Sequence, residues 1–307
     1  MKIGSCAQDI VMPAKAGIQL SPDRARRWVY WIPAFAGMTA LFSAASAQAY
    51  DLRGEWKQGS VLVGKAEPGT RVWFKGAELL VSPQGEFVFG LDRDEPEEAW
   101  LKIQAPGGAP QSERHPVAKR EYEIQRIEGL PPEQVVPPKW ALKRIEQDLK
   151  QIVAARSVKS PLTGFAQNFV WPANGRVSGV FGSQRILNGV PKQPHNGVDV
   201  AVPTGTEVRA PADGIVVLAV PDMYYTGGSL MIDHGHGLSS IMVHLSKLLA
   251  QKGQTVKQGE VVALSGMTGR ATGPHLHWGM NWLGAKVDPQ TLVPAMAVAE
   301  PVPEKNP

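Results

Sequence analysis

Pro203-Thr204-Gly205-Thr206-Glu207-Val208 leads into Gly214-Ile215-Val216-Val217-Leu218, and further along Lys252-Gly253-Gln254-Thr255-Val256 leads into Gly259-Glu260-Val261-Val262-Ala263-Leu264. Each unit is a glycine turn followed by a β-branched run. Glycine supplies the turn conformation, and Val and Ile suit a pleated, half-buried surface. Two such units predict a barrel-like sandwich of short strands over residues 165–297. The same rhythm would suit a biotinyl or lipoyl carrier module. A carrier needs an exposed lysine at a hairpin tip, and Gly235-His236-Gly237 offers none.

Upstream of this domain, residues 119–164 read as a Pro-rich linker, Leu130-Pro131-Pro132 to Pro137-Pro138, and then a helix from about Lys139 to Arg156. The linker is stiff and extended. In the helix Leu142, Ile145, Leu149, Ile152 and Val153 form one apolar stripe, which is expected to pack on a neighbouring domain. Two heptads are too few for a coiled coil. Residues 50–118 alternate in short runs, Val61 and Val63, Val72 and Phe74, Phe87 and Phe89, Leu101 and Ile103, broken by Pro/Gly turns. They predict a small antiparallel β sandwich, with His115 in a solvated loop. The chain as a whole is expected to be mostly β.

Residues 1–49 read as a leader. Arg24-Ala25-Arg26-Arg27, an apolar stretch from Trp28 to Ala47 and Ala47-Gln48-Ala49 follow the order of a secretory signal, with cleavage expected before Tyr50. Pro33 and Gly37 interrupt the run, so no retained membrane span is expected. Val11-Met12-Pro13-Ala14 is echoed by Ile32-Pro33-Ala34, as translated repetitive DNA upstream of the true start would be. The 32 Lys and Arg exceed the 28 Asp and Glu. Without the leader's five basic and two acidic residues the balance is 27 against 26, which argues against a nucleic-acid partner. Exported, the protein would work in the periplasm. The only cysteine, Cys6, lies in the leader, so a metal site downstream must use His and carboxylates. Residues 298–307, rich in Pro and charge, are expected to be disordered.

Six of the seven histidines fall between residues 195 and 277. In Gly273-Pro274-His275-Leu276-His277-Trp278, two imidazoles stand at i and i+2 and face the same side of a strand. In His195-Asn196-Gly197-Val198-Asp199, a histidine and a carboxylate flank an Asn-Gly turn. Together these supply the three protein ligands of an open catalytic zinc site. The spacing leaves open which of His275 and His277 would hold the metal. Asp233-His234-Gly235-His236-Gly237 reads as a hairpin turn whose histidines are structural.

These motifs, with Ala210-Pro211-Ala212-Asp213-Gly214, His244-Leu245-Ser246 and Gly266-Met267-Thr268-Gly269-Arg270-Ala271-Thr272-Gly273, give residues 171–294 a resemblance to the lysostaphin-type (LytM-like) zinc endopeptidases of peptidoglycan. The resemblance implies a barrel-sandwich hybrid fold with a duplicated hybrid motif. It also implies Zn²⁺ on His195, Asp199 and His277, a non-ligating catalytic pair in His244 and His275, and peptidoglycan stem peptides as substrate. The family more often has an aromatic and an acid where this chain has Trp278-Gly279-Met280, and a Gly-rich turn where it has Tyr224-Tyr225-Thr226-Gly227-Gly228-Ser229. Arg185 and Tyr224 are candidates for the groove wall, because a crosslinked peptide carries carboxylates. Some relatives have lost ligands and only activate wall amidases. A regulator of that kind is the alternative reading, and a regulatory protein of wall remodelling is a conceivable partner. This chain keeps every position, which favours catalysis.

Overall fold

The computed structural model describes residues 50–129 and 136–296. The expected signal segment, the echo within it, most of the Pro-rich linker and the tail lie outside the described residues. Among the described residues no helix is long and apolar enough to cross a membrane.

The first strands are β1 (Tyr50–Arg53), β2 (Val61–Ala66), β3 (Arg71–Phe74), β4 (Ala77–Glu78), β5 (Glu86–Gly90), β6 (Glu98–Gln104), β7 (Gln111–Pro116) and β8 (Ile124–Ile127). β1 to β7 form a three-stranded sheet, β1-β2-β5, and a four-stranded sheet, β4-β3-β6-β7, whereas β8 pairs in parallel with a later strand, Gln184–Leu187. In β6 the period of two is plain. Ala99, Leu101 and Ile103 are buried, whereas Trp100 and Lys102 point out. His115 differs from its loop expectation: it lies in β7, with its ring stacked on Trp56 at 4.0 Å.

A 3₁₀ turn, Lys139–Ala141, precedes helix α1 (Leu142–Arg156). The helix packs on the sheet differently from the single buried stripe expected. Ala155 and Ile152 meet Leu218, Met231 and Val243, because an alanine lets the helix come close. Arg144 pairs with Asp222 at 2.7 Å, and Asp148 accepts the Tyr224 amide at 2.8 Å. These polar ties turn Leu142, Leu149 and Val153 outward, where half of each side chain is exposed.

The remaining strands are β9 (Arg176–Gly179), β10 (Gln184–Leu187), β11 (Val190–Pro191), β12 (Gly197–Ala201), β13 (Glu207–Arg209), β14 (Gly214–Met223), β15 (Gly227–Gly235) and β16 (Leu238–Leu245). After them come β17 (Lys247–Leu248), β18 (Thr255–Val256), β19 (Val261–Leu264), β20 (Leu276–Trp282) and β21 (Ala285–Val287). The main sheet runs β18-β14-β15-β16-β20-β12-β9, with β21 against β20. The two repeated sequence units exchange partners. β13 of the first pairs with β19 of the second, and β14 of the first pairs with β18 of the second. The sandwich is thus closed by its own repeat. Central strand β15 is buried throughout, Leu230 and Ile232 on one face and Met231 on the face beneath α1.

The N-terminal strands share a core with this sheet. Phe74 meets Trp282 edge-on at 5.9 Å, and a Cβ on Gly90 would come within 2.7 Å of Val287. Arg120 Nη1 pairs at 2.6 Å with Asp288, which is 2% exposed, while the Asp288 amide donates to the Gly59 carbonyl. Asp288 also accepts the Gln290 amide. Removing one partner of such a pair strands a buried charge, at a cost of about 3 kcal/mol. Arg120→Ala is therefore expected to lower unfolding free energy by about that amount, measured by urea titration, and Arg120→Lys by less.

Candidate metal and acid-base site

Strand register brings the expected residues together. In the antiparallel pair β12/β20, Asp199 stands opposite His277, and on the other side of β20 Val243 stands opposite His277. His195 enters from the loop before β12, clamped by its amide on the Ser183 carbonyl and its carbonyl on the Gly182 amide. Glycines let the backbones approach. A Cβ on Gly179 would land on the Asp199 carboxylate, and one on Gly279 would lie 2.7 Å from the Asn196 carbonyl. Gly279, one of the departures in the sequence, is therefore required by the loop that carries His195.

His195 Nε2, His277 Nδ1 and Asp199 Oδ1 converge: the nitrogens lie 3.0 and 2.9 Å from the oxygen and 3.0 Å from each other. Burial pushes the Asp199 carboxyl up, but the two imidazoles against it outweigh that and hold it well below the usual carboxylate range. Burial pushes His277 down, toward the neutral ring. His195 Nδ1 lies 2.9 Å from the Val180 carbonyl, which can only accept, so this nitrogen carries the proton. Nε2 is then the nitrogen turned toward Asp199 Oδ1 and the centre of the cluster. Two imidazole nitrogens and one carboxylate oxygen converging on one point form a donor set that fits a divalent transition-metal cation.

A second pair of rings borders the triad. His244 and His275 lie 4.8 Å apart, and His244 lies 6.3 Å from His277. His244 Nδ1 meets the Thr268 carbonyl and His275 Nδ1 the Gly273 carbonyl, both at 2.8 Å. Each ring therefore has its proton on Nδ1 and, when neutral, a bare Nε2. Burial lowers the His244 pKa to about 4, so it is neutral at pH 7. Its backbone is held at φ +63°, a left-handed conformation that a β-carbon resists. The compensation comes from Thr226, whose carbonyl takes the His244 amide. Thr268 completes the clamp, its hydroxyl donating to the Leu245 carbonyl and accepting the Gly228 amide.

Arg185 sits at the edge, with Nη2 3.7 Å from Asp199 Oδ2. Tyr224 turns toward α1, its ring edge-on to Trp140 at 5.9 Å. Its neighbour Tyr225 joins the loop that holds His244: Arg270 lies over the Tyr225 ring, and the Arg270 amide donates to the Tyr225 carbonyl. Sequence reasoning passed over Thr268 and Tyr225 as site residues. Thr268 lay inside a quoted motif, but the partner of a backbone carbonyl leaves no trace in spacing. His234 and His236 stay apart from the cluster. His234 is fully buried between the Asp213 carbonyl and the Ser240 hydroxyl, and His236 lies on Phe165 at 4.5 Å.

The fold and the site define a β metallopeptidase architecture, with one carboxylate and two imidazoles around a cation position and two further imidazoles at its rim. The chain belongs to peptidase family M23. The sequence model of Peptidase family M23 matches residues 193–289. A crystal structure of an M23 peptidase from Pseudomonas aeruginosa is 32% identical, with a TM-score of 0.61 over 78% of this chain and 95% of that one. Among curated proteins, a peptidoglycan DD-endopeptidase of Vibrio cholerae is 39% identical over 46% of this chain and 32% of its own length. A metalloprotease of Haemophilus influenzae is 47% identical over 33% of this chain and 21% of its own. The similarity thus spans between a fifth and a third of these curated relatives.

His234 gives a test of the buried polar framework. Burial lowers its pKa to about 4 against 6.5 when exposed, so between those values the unfolded chain binds the proton and the folded chain does not. Its contribution is present above pH 6.5 and lost as pH falls through 4, about 3 kcal/mol in all. His234→Gln is expected to flatten the pH dependence of stability over that window, read by chemical denaturation at each pH.

Proposed function

We propose that this protein is a zinc-dependent endopeptidase that is secreted across the inner membrane and hydrolyses peptide crosslinks of peptidoglycan in the periplasm. The observation that carries the reading is the donor triangle of His195, Asp199 and His277 beside two imidazoles whose ring protons are committed to backbone carbonyls. Those three residues would hold the ion, which when bound supplies Lewis acidity, polarising the scissile carbonyl and making water acidic near neutrality.

The chain's own groups then move protons. His244, neutral and with Nε2 bare, accepts the proton of the attacking water as the C–O bond forms. His244 Nε2 then returns that proton to the amine as the C–N bond breaks, while His275, its Nε2 3.8 Å from Asp199 Oδ1, borders the same reacting space. The products are a carboxylate and an amine. Arg185 offers a cation near the scissile position for a substrate carboxylate.

The substrate class is supported by the relative that is itself named a peptidoglycan DD-endopeptidase. Export is supported by the basic-apolar-A-x-A order of residues 24–49. The complete donor set speaks for catalysis over an amidase-activating regulator. His277→Ala is expected to lose both zinc and peptide release, and His244→Ala to keep zinc while turnover falls at least about a hundredfold. Elemental analysis and mass spectrometry of fragments from purified peptidoglycan measure the two; a zinc-free, active His277→Ala variant refutes the assignment.

A further inference from the structure

Five of the fourteen large hydrophobic side chains exposed among the described residues fall in one short stretch: Val136, Trp140, Leu142, Leu149 and Val153. Trp140 is 73% exposed and Leu149 55%. Scattered single apolar side chains are ordinary on a surface, but a concentration on one element marks a contact. Leu142, Leu149 and Val153 recur at helical spacing on the same outer face of α1, and Trp140 stands at its entry.

Charge selects the occupant. Residues 139–159 carry six basic side chains against Glu146 and Asp148; with Arg144 paired to Asp222 and Lys150 to Glu146, the exposed excess is Lys139, Lys143 and Lys159. The acids are engaged, Glu146 with Lys150 at 2.6 Å and Asp148 with the Tyr224 amide. Lys139 and Lys143 are exposed beside the apolar face. A second copy of the chain would bring like charge against like across this face. An anionic surface with an apolar layer just beneath it matches both features, and lysines reach headgroups while a tryptophan sits at the boundary.

We infer that α1, with Trp140, is a peripheral docking face for an anionic phospholipid membrane. The helix is tied to the site: Asp148 holds the Tyr224 amide, and Thr226 in the same turn holds the His244 amide. A docked helix therefore fixes how the groove is presented relative to the bilayer. The inference uses the envelope location of the hydrolase reading only to say where such a surface is met, and its test involves no cleavage.

The test uses the full chain with Cys6→Ser and Leu149→Cys, the single thiol bearing an environment-sensitive fluorophore. Equimolar phosphatidylglycerol and phosphatidylcholine vesicles are expected to shift its emission to the blue, and phosphatidylcholine vesicles to leave it unchanged. Adding Lys139→Glu and Lys143→Glu, outside the hydrophobic core and checked for an unaltered melting profile, is expected to weaken the response about tenfold or more. Residues 1–49 are the same in every arm, so the difference reads the helix. No shift with the anionic vesicles, an equal shift with both lipids, or an undiminished response in the charge-reversed chain overturns the inference. So does a lipid-free blue shift that grows with protein concentration, which would assign the face to a second copy. Peptide release from peptidoglycan is read separately, so the docking face and the hydrolase reading can fail independently.

Discussion

Three donor atoms, two imidazole nitrogens and a carboxylate oxygen, are held within about 3 Å of one another although His277 lies 82 residues beyond His195. No helix or strand would assemble such a set by local preference, since one donor, His277, arrives from a distant strand. The rest of the domain supplies the restraint. The β12/β20 register fixes two of the donors opposite each other, and the clamp of the His195 loop on Ser183 and Gly182 fixes the third. The Val180 carbonyl then sets the tautomer.

The rim is built by a different device. His244 and His275 each give a ring proton to a carbonyl from the 266–273 loop, so both present the same nitrogen to the same space. That loop is locked to the β14–β15 turn by Thr268 and by the Arg270 amide, and the turn is locked to α1 through Asp148. Asp199, His277 and His244 stand on strands, and His195 and His275 on the segments that enter β12 and β20. The carbonyls that orient the rim rings come from the braced loop.

Much of this was readable in the residues. The paired glycine-turn units foretold the closed sandwich because glycine and β-branched side chains constrain the backbone locally. The i, i+2 spacing of His275 and His277 placed both on one side of a strand for the same reason. What spacing could not divide between them, a carbonyl did: His275 Nδ1 is taken by Gly273, while His277 Nδ1 faces Asp199. The helix was legible as a helix, yet its buried face was not, because Arg144 and Asp148 found polar partners that periodicity cannot register. His115 escaped likewise: its sequence neighbours are charged, but its stacking partner Trp56 is distant in the chain.

Gly179 has no side chain, binds nothing and takes no part in any proton transfer, yet the Asp199 carboxylate occupies the space its β-carbon would need. Site integrity in such a chain is therefore not a property of its donors alone. A homologue could retain all three ligands and both rim histidines and still be inert through one added methyl group on a neighbouring strand. Sorting working enzymes from spent ones by counting histidines and aspartates would misfile it, and the glycine belongs in the signature on equal terms.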